Sequence, residues 1–105
     1  MSQTWYERII AAHTSVTGAV SHGGRMKSDR YFVWQEEGRN DLIVDGIHAE
    51  KTVTGSTDLF SRVEFDPWAR QFEQALDRAG IPWSLNSVQY EPETGYWHWE
   101  WVWEV

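Results

Sequence analysis

The side chains able to do acid–base or metal chemistry in this chain are few. Histidine occurs four times, at His13, His22, His48 and His98, and cysteine not at all. No two histidines stand at the HxxxH or HxH spacing that sets imidazoles side by side on a helix or strand, and no thiolate assists, so no metal ligand set is indicated. His98 has carboxylates within reach: Glu100 shares its strand parity and Glu91 lies across a hairpin. A histidine–carboxylate pair can act as a general base, and Glu91, Glu93, Glu100 and Glu104 could supply the paired acids of a glycosidase. A hairpin in a 105-residue chain offers little cleft for either, and acids on the polar face of a strand are usually solvated. No G-x-S-x-G, P-loop or G-x-G-x-x-G run occurs, and Gly23-Gly24 followed by Arg25 and Lys27 is too short to cradle a phosphate. The residues predict no enzyme, no catalytic group, no cofactor and no metal.

The unusual resource is tryptophan, eight residues in 105, four of them in the last nine. Trp97, Trp99, Trp101 and Trp103 share one parity with Val105, while His98, Glu100, Val102 and Glu104 share the other. In a strand that alternation lines one face with indoles and the other mostly with acids. An aromatic strand face is core, a subunit interface, or a platform for stacking on a sugar or base. Four indoles exceed what two short helices comfortably cover, so the four are candidates for an assembly interface.

The elements that would position this strand follow from caps and periodicity. Thr4 followed by Glu7 is a capping-box pattern, and Trp5, Ile9, Ala12 and Val16 fall on one face, which predicts a helix from Thr4 to Val16 stopped by Gly18. Ala19 to His22 reads as a short strand. Gly23 to Arg30 is a glycine-led loop with the local basic excess, and Arg30 to Glu37 is a strand with both faces partly covered. Gly38 to Asp41 and Asp45-Gly46 are turn signals around Leu42 to Val44, a small strand or a folded loop. Ala49 to Val63 is a long strand with Gly55 at a bulge position. Asp66-Pro67 opens a helix whose apolar face is Trp68, Phe72, Ala75, Leu76 and Ala79, closed by Gly80 and Pro82. Trp83 to Glu91, the turn Pro92 to Gly95, and Tyr96 to Val105 form a hairpin. The order predicts a single α+β domain over residues 1–105, a mainly antiparallel sheet of four to five strands with two helices packed on one face.

Composition narrows the partners. Lys and Arg number 9 against 16 Asp and Glu, a formal charge of −7, which disfavours nucleic acid. No window approaches the roughly 18 uninterrupted apolar residues of a membrane span. Residues 1–20 lack a basic start with an apolar run behind it, so no signal peptide is visible.

The run Tyr31-Phe32-Val33-Trp34-Gln35-Glu36-Glu37-Gly38, the strand Thr54-Gly55-Ser56-Thr57-Asp58-Leu59-Phe60 and the ending Tyr90-Glu91-Pro92-Glu93-Thr94-Gly95-Tyr96-Trp97-His98-Trp99-Glu100-Trp101 resemble small tail-completion proteins of long-tailed phages and prophages, in order and spacing over nearly the whole chain. The resemblance implies a non-enzymatic structural protein of the virion, made in the host bacterial cytoplasm and placed at the head–tail interface. It would be a tail terminator whose subunits close into a ring, commonly a hexamer, which caps the tail tube and meets the head connector. Its partners would be further copies of itself, the tube protein and the connector protein, with no membrane and no specific nucleic acid. A head–tail joining protein is the alternative within the virion, and a carbohydrate-binding module using exposed tryptophans the alternative outside it. Arg25, Lys27 and Arg30 in the glycine-led loop, with Asp41 and Asp45 at a second tip, are the candidate docking residues. The tryptophan density at the C-terminus departs from the group's pattern.

Overall fold

A computed structural model of the chain describes residues 3–44 and 47–105, with side chains throughout except at 39–51. It is an α+β structure of two helices and a five-stranded mixed sheet, mostly antiparallel, in the order α1 (Trp5–Thr14), β1 (Val20–His22), β2 (Arg30–Val44), β3 (Ile47–Ser61), α2 (Pro67–Arg78), β4 (Trp83–Glu91) and β5 (Tyr96–Glu104).

The caps form as the spacing predicts. The Glu7 N–H donates to Thr4 Oγ1 at 3.2 Å while the Glu7 carboxylate accepts from the Thr4 N–H. The helix ends at Thr14, short of Val16. The hydroxyls of Thr14 and Ser15 turn back onto the carbonyls of Ile10 and Ala12, and the N–H groups of Val16 and Thr17 both go to the His13 carbonyl. Such local bonds compete with continuation of the helix. At α2 the Asp66 side chain accepts from the Trp68 N–H at 2.9 Å. At its other end Gly80, at φ 69°, lets the Ile81 N–H reach the Leu76 carbonyl.

The strands lie in the order β1-β2-β3-β5-β4. β1 runs parallel to β2, with Val20 opposite Phe32, and the other pairings are antiparallel. For the chain to re-enter the sheet in the same direction, the segment 23–29 must run back along it. It does so over the face that carries Tyr31, Val33 and Phe60, where Met26 packs.

The stretch 38–41 corrects the expectation of a turn. β2 continues through Gly38, opposite Thr54, to Val44, opposite Ile47, because the ladder takes up one extra residue between Glu36 and Gly38. The bulge is therefore on β2, opposite Gly55, and not at Gly55 itself. Gly55 is needed for a different reason. A Cβ there would collide with the Trp103 ring and stand 2.6 Å from the Gln35 carbonyl oxygen, so only glycine lets the indole lie across this backbone. The turn signal at Asp45-Gly46 lies outside the described residues. β5 pairs with β3 from Ser61 to Thr54, and Val105 beyond it exchanges two backbone bonds with Val53, so among the described residues the outer parts of β2 and β3 pair with each other and form a two-stranded arm. The molecule measures 51 × 27 × 21 Å.

One buried cluster joins Ile9 and Ala12 of α1 and Phe72, Ala75 and Leu76 of α2 to Phe32, Trp34, Leu59 and the indoles of β5. A second, smaller one joins Tyr31, Val33 and Phe60, which have the opposite parity.

Candidate functional site

The tryptophan strand comes first because its alternation is the strongest signal in the sequence. Trp99, Trp101 and Trp103 are buried, Trp101 completely, among Phe32, Phe72, Trp34 and their neighbours. The indole N–H of Trp101 donates to the Glu73 carboxylate at 2.9 Å, and that of Trp103 to Thr57 Oγ1 at 2.9 Å. These three indoles are core. As assembly-interface candidates they are corrected, since the chain's own helical side chains already occupy their faces, and a sugar could not stack on them either. Trp97 alone stays half-buried, against Tyr90 with ring centroids 5.1 Å apart.

The same core holds a polar chain that the sequence did not announce. His13 Nδ1–H donates to the Ile9 carbonyl at 2.7 Å, which leaves Nε2 to accept from the Thr57 hydroxyl at 2.9 Å; that hydroxyl in turn accepts from Trp103. Burial holds the imidazole neutral, its pKa lowered from 6.5 to about 4, with the bond to the Ile9 carbonyl acting weakly the other way. The legible signal is spacing, because His13 stands four residues beyond Ile9 on the buried stripe.

The docking candidates separate. Lys27 is exposed. Arg25 is exposed at its tip but lies over the Phe60 ring, 4.4 Å from its centroid, with Glu91 3.8 Å away. Arg30 opens β2, as the sequence predicts, forks onto the buried Asp66 carboxylate with its Nε 2.7 Å from Oδ2, and stacks on Trp68 at 3.7 Å, so its charge is engaged within the chain. Asp66 also accepts from the Ser61 hydroxyl at 2.6 Å. Burial pushes this carboxyl upward, and the bonds from Arg30, Ser61 and the Trp68 N–H outweigh that and hold it below the usual range. Asp41 falls within β2 opposite Lys51, its side chain outside the described ones, and Asp45 lies outside the described residues.

Of the acids considered around His98, the structure brings up Glu91, whose Oε2 is 3.3 Å from Nδ1. Glu100 instead accepts from the Asn86 amide. The nearer partner is Asp58 of β3, 2.7 Å from Nε2, visible only once the β3–β5 register is known. The bond to Asp58 raises the His98 pKa, against the effect of partial burial. Both ring nitrogens point at carboxylates. Among the described residues no group of three or more His, Cys, Asp or Glu is arranged to hold a metal ion, and no helix is long and apolar enough to cross a membrane.

Exposed apolar side chains form the remaining feature. Of the eight large ones left exposed among the described residues, six gather at the two sheet edges: Tyr6 and Ile10 beside β1, and Phe65, Leu85, Val88 and Tyr90 along β4. Phe65 is 88% exposed. It precedes the Asp66 cap, where an apolar residue usually packs on the fourth helical residue; here that residue is Arg70, which leaves the ring without a staple partner. A groove of about 450 Å³ lies beside β1, and one of about 580 Å³ beside β4. No protein-family model matches this chain, and no curated protein matches it.

Proposed function

We propose that the chain is a structural subunit of a phage or prophage tail, a tail terminator that closes into a ring of identical copies, caps the tube and meets the head connector. In this reading the two helices form one layer on one face of the sheet and both sheet edges are turned towards neighbours. The observation that carries it is the β2–β3 arm. Among the described residues the strand pairing of its outer parts is with each other, and a two-stranded hairpin by itself is marginal in water. In this reading a neighbouring chain supports the arm. Apolar side chains at both edges fit a subunit that must meet two neighbours through unlike surfaces. The quoted motifs fall on β2, β3 and the β4–β5 hairpin, so the resemblance follows the elements of the sheet.

The test is capping. Purified tail tubes are extended with excess tube protein in the presence and absence of the chain, and their lengths and ends are read by negative-stain microscopy. Arrested growth with density at one end supports the reading. Unchanged lengths with bare ends overturn it.

A further inference from the structure

We propose that the crossover between β1 and β2 is a hinged strap: residues 24–29 lift from the sheet as a unit, ahead of the rest of the fold, and uncover Tyr31, Val33 and Phe60. These three side chains are buried, yet among the described residues no helical side chain belongs to their cluster. Their cover is Met26, together with Ala19 and Tyr96. Met26 is the only large apolar side chain between Gly23 and Arg30. The face of Trp101 is built otherwise, with side chains of both helices packed among the indoles. A segment that buries one large apolar side chain lies at the low end of local stability.

The other ties of the strap to the sheet are polar. The Tyr96 hydroxyl donates to the Ser28 carbonyl, and the Tyr31 hydroxyl meets the backbone of Met26. Arg62 Nε donates to the Asp29 carboxylate at 3.0 Å, with both side chains exposed. Arg25 lies over the Phe60 ring with Glu91 3.8 Å away, and the same Glu91 oxygen is shared with His98. Exposed ion pairs of this kind contribute little. From Gly24 to Asp29 no backbone group bonds to another backbone group among the described residues. Lifting the strap therefore breaks no ladder.

Both ends are fixed, which sets the limits of the movement. Gly23, at φ 85°, donates its N–H to the Trp34 carbonyl at 2.9 Å. Arg30 is held by Asp66 and Trp68. A Cβ at Gly23 or at Gly24 would meet nothing within 4 Å, so no close approach requires the pair. Two adjacent glycines supply backbone freedom at one end of the strap. A hinge at one end, a clamp at the other and weak ties between them define a segment that lifts without unpairing β1 from β2.

The chain has no cysteine, so a single introduced thiol reports the movement. Val33→Cys lies in the cluster beneath the strap and Ala75→Cys in the core of the opposite face. Each is labelled with a thiol reagent across a urea series below the unfolding transition, and rates are taken relative to the unfolded chain. Val33→Cys should label faster than Ala75→Cys and with little dependence on urea, whereas Ala75→Cys should follow urea with the slope of global unfolding. Tyr96→Phe keeps the ring, removes the hydroxyl tie and should speed Val33→Cys about fivefold. Ile9→Val weakens the opposite core and should speed Ala75→Cys about fivefold while leaving Val33→Cys unchanged. One urea slope for both thiols, or an equal response of both to Ile9→Val, overturns the proposal, because the second face then opens only with the whole fold. No response of Val33→Cys to Tyr96→Phe overturns it too, because the opening then leaves the strap in place. Tyr31 of the unaltered chain gives a second reading should Val33→Cys fail to fold: its nitration, mapped by peptide mass, should be nearly independent of urea below the transition, and a slope equal to that of global unfolding overturns the proposal.

Discussion

His13 and His98 lie on opposite faces of the sheet and are held in opposite ways. On the face of Phe32, Leu59 and Trp101, His13 is fully buried, neutral, and bonded only to a carbonyl and a hydroxyl. On the face of Tyr31 and Phe60, His98 is partly exposed, stacked on Phe60 with centroids 4.3 Å apart, and bonded to two carboxylates. The difference follows from desolvation. Where water is excluded, a charge would cost several kcal/mol and a neutral tautomer is selected; where water and carboxylates are both at hand, the charged form is the bonded one. Stability should therefore reside in the first face, and tolerance to substitution in the second.

Three indoles make the first face, and removing one gives the largest expected effect. Trp101→Ala should cost about 3–5 kcal/mol, through lost burial and the cavity left among Phe32 and Phe72. The fall in the urea midpoint measures it. A loss near that of a surface substitution would mean that the indole is not sealed in the core.

His13 gives the next effect, with a sign that can be worked out. The native imidazole titrates near 4, whereas in the unfolded chain it titrates near 6.5. Between those values the unfolded state binds a proton that the native state refuses. The contribution is complete above pH 6.5 and is lost as pH falls towards 4, by about 3 kcal/mol in all. The His13 ring resonances followed against pH should show a midpoint well below 6; a midpoint near 6.5 would contradict a dry site.

Asp66 sits at the seam, capping α2 while holding Arg30 of β2. Asp66→Ala should cost about 2–3 kcal/mol, more than an exposed cap, because a charge-assisted bond goes with it. Arg30 is about one-third exposed and can turn to water, which limits the loss. Since its native carboxyl is held low, the contribution of Asp66 is present above the ordinary carboxylate range and disappears as pH falls through the lowered value. A urea series at pH 7 and at pH 3 separates the two: the wild-type advantage over the variant should shrink at the lower pH.

What is legible in the sequence divides along the same line. The limits of α2, the β4–β5 hairpin and the indole parity are local patterns, and each appears in the structure nearly where spacing puts it. The parallel β1–β2 pair is not legible, because parallel pairing is closed by residues far from either strand and leaves no local signature. Gly38 reads as a turn because a bulge and a turn use the same residue. The engagement of Arg30 is not legible because its partner Asp66 is 36 positions away. The exposed edge is written only as a missing staple: Phe65 before a cap, with Arg70 where an apolar residue would pack. The edge groups thus escape a sequence reading for the reason that makes them candidates, since they lack intrachain partners that periodicity could predict.

The smallest expected effect tests the charged face. The native pKa of His98 lies above its unfolded value, so its contribution is complete below about pH 6.5 and is lost as pH rises through the native value, opposite in sign to His13. Asp58→Asn keeps the shape and removes the nearest charge. The His98 midpoint should move down towards 6.5, and the loss of stability, measured near pH 5.5, should be at most about 1 kcal/mol, because the pair is partly exposed and screened by salt. Once pH has risen through the native midpoint and the imidazole has lost its proton in both proteins, the two urea midpoints should converge. A cost of several kcal/mol that persisted above that midpoint would mean that Asp58 is a buried structural partner like Asp66, and the contrast between the two faces would fail on its charged side.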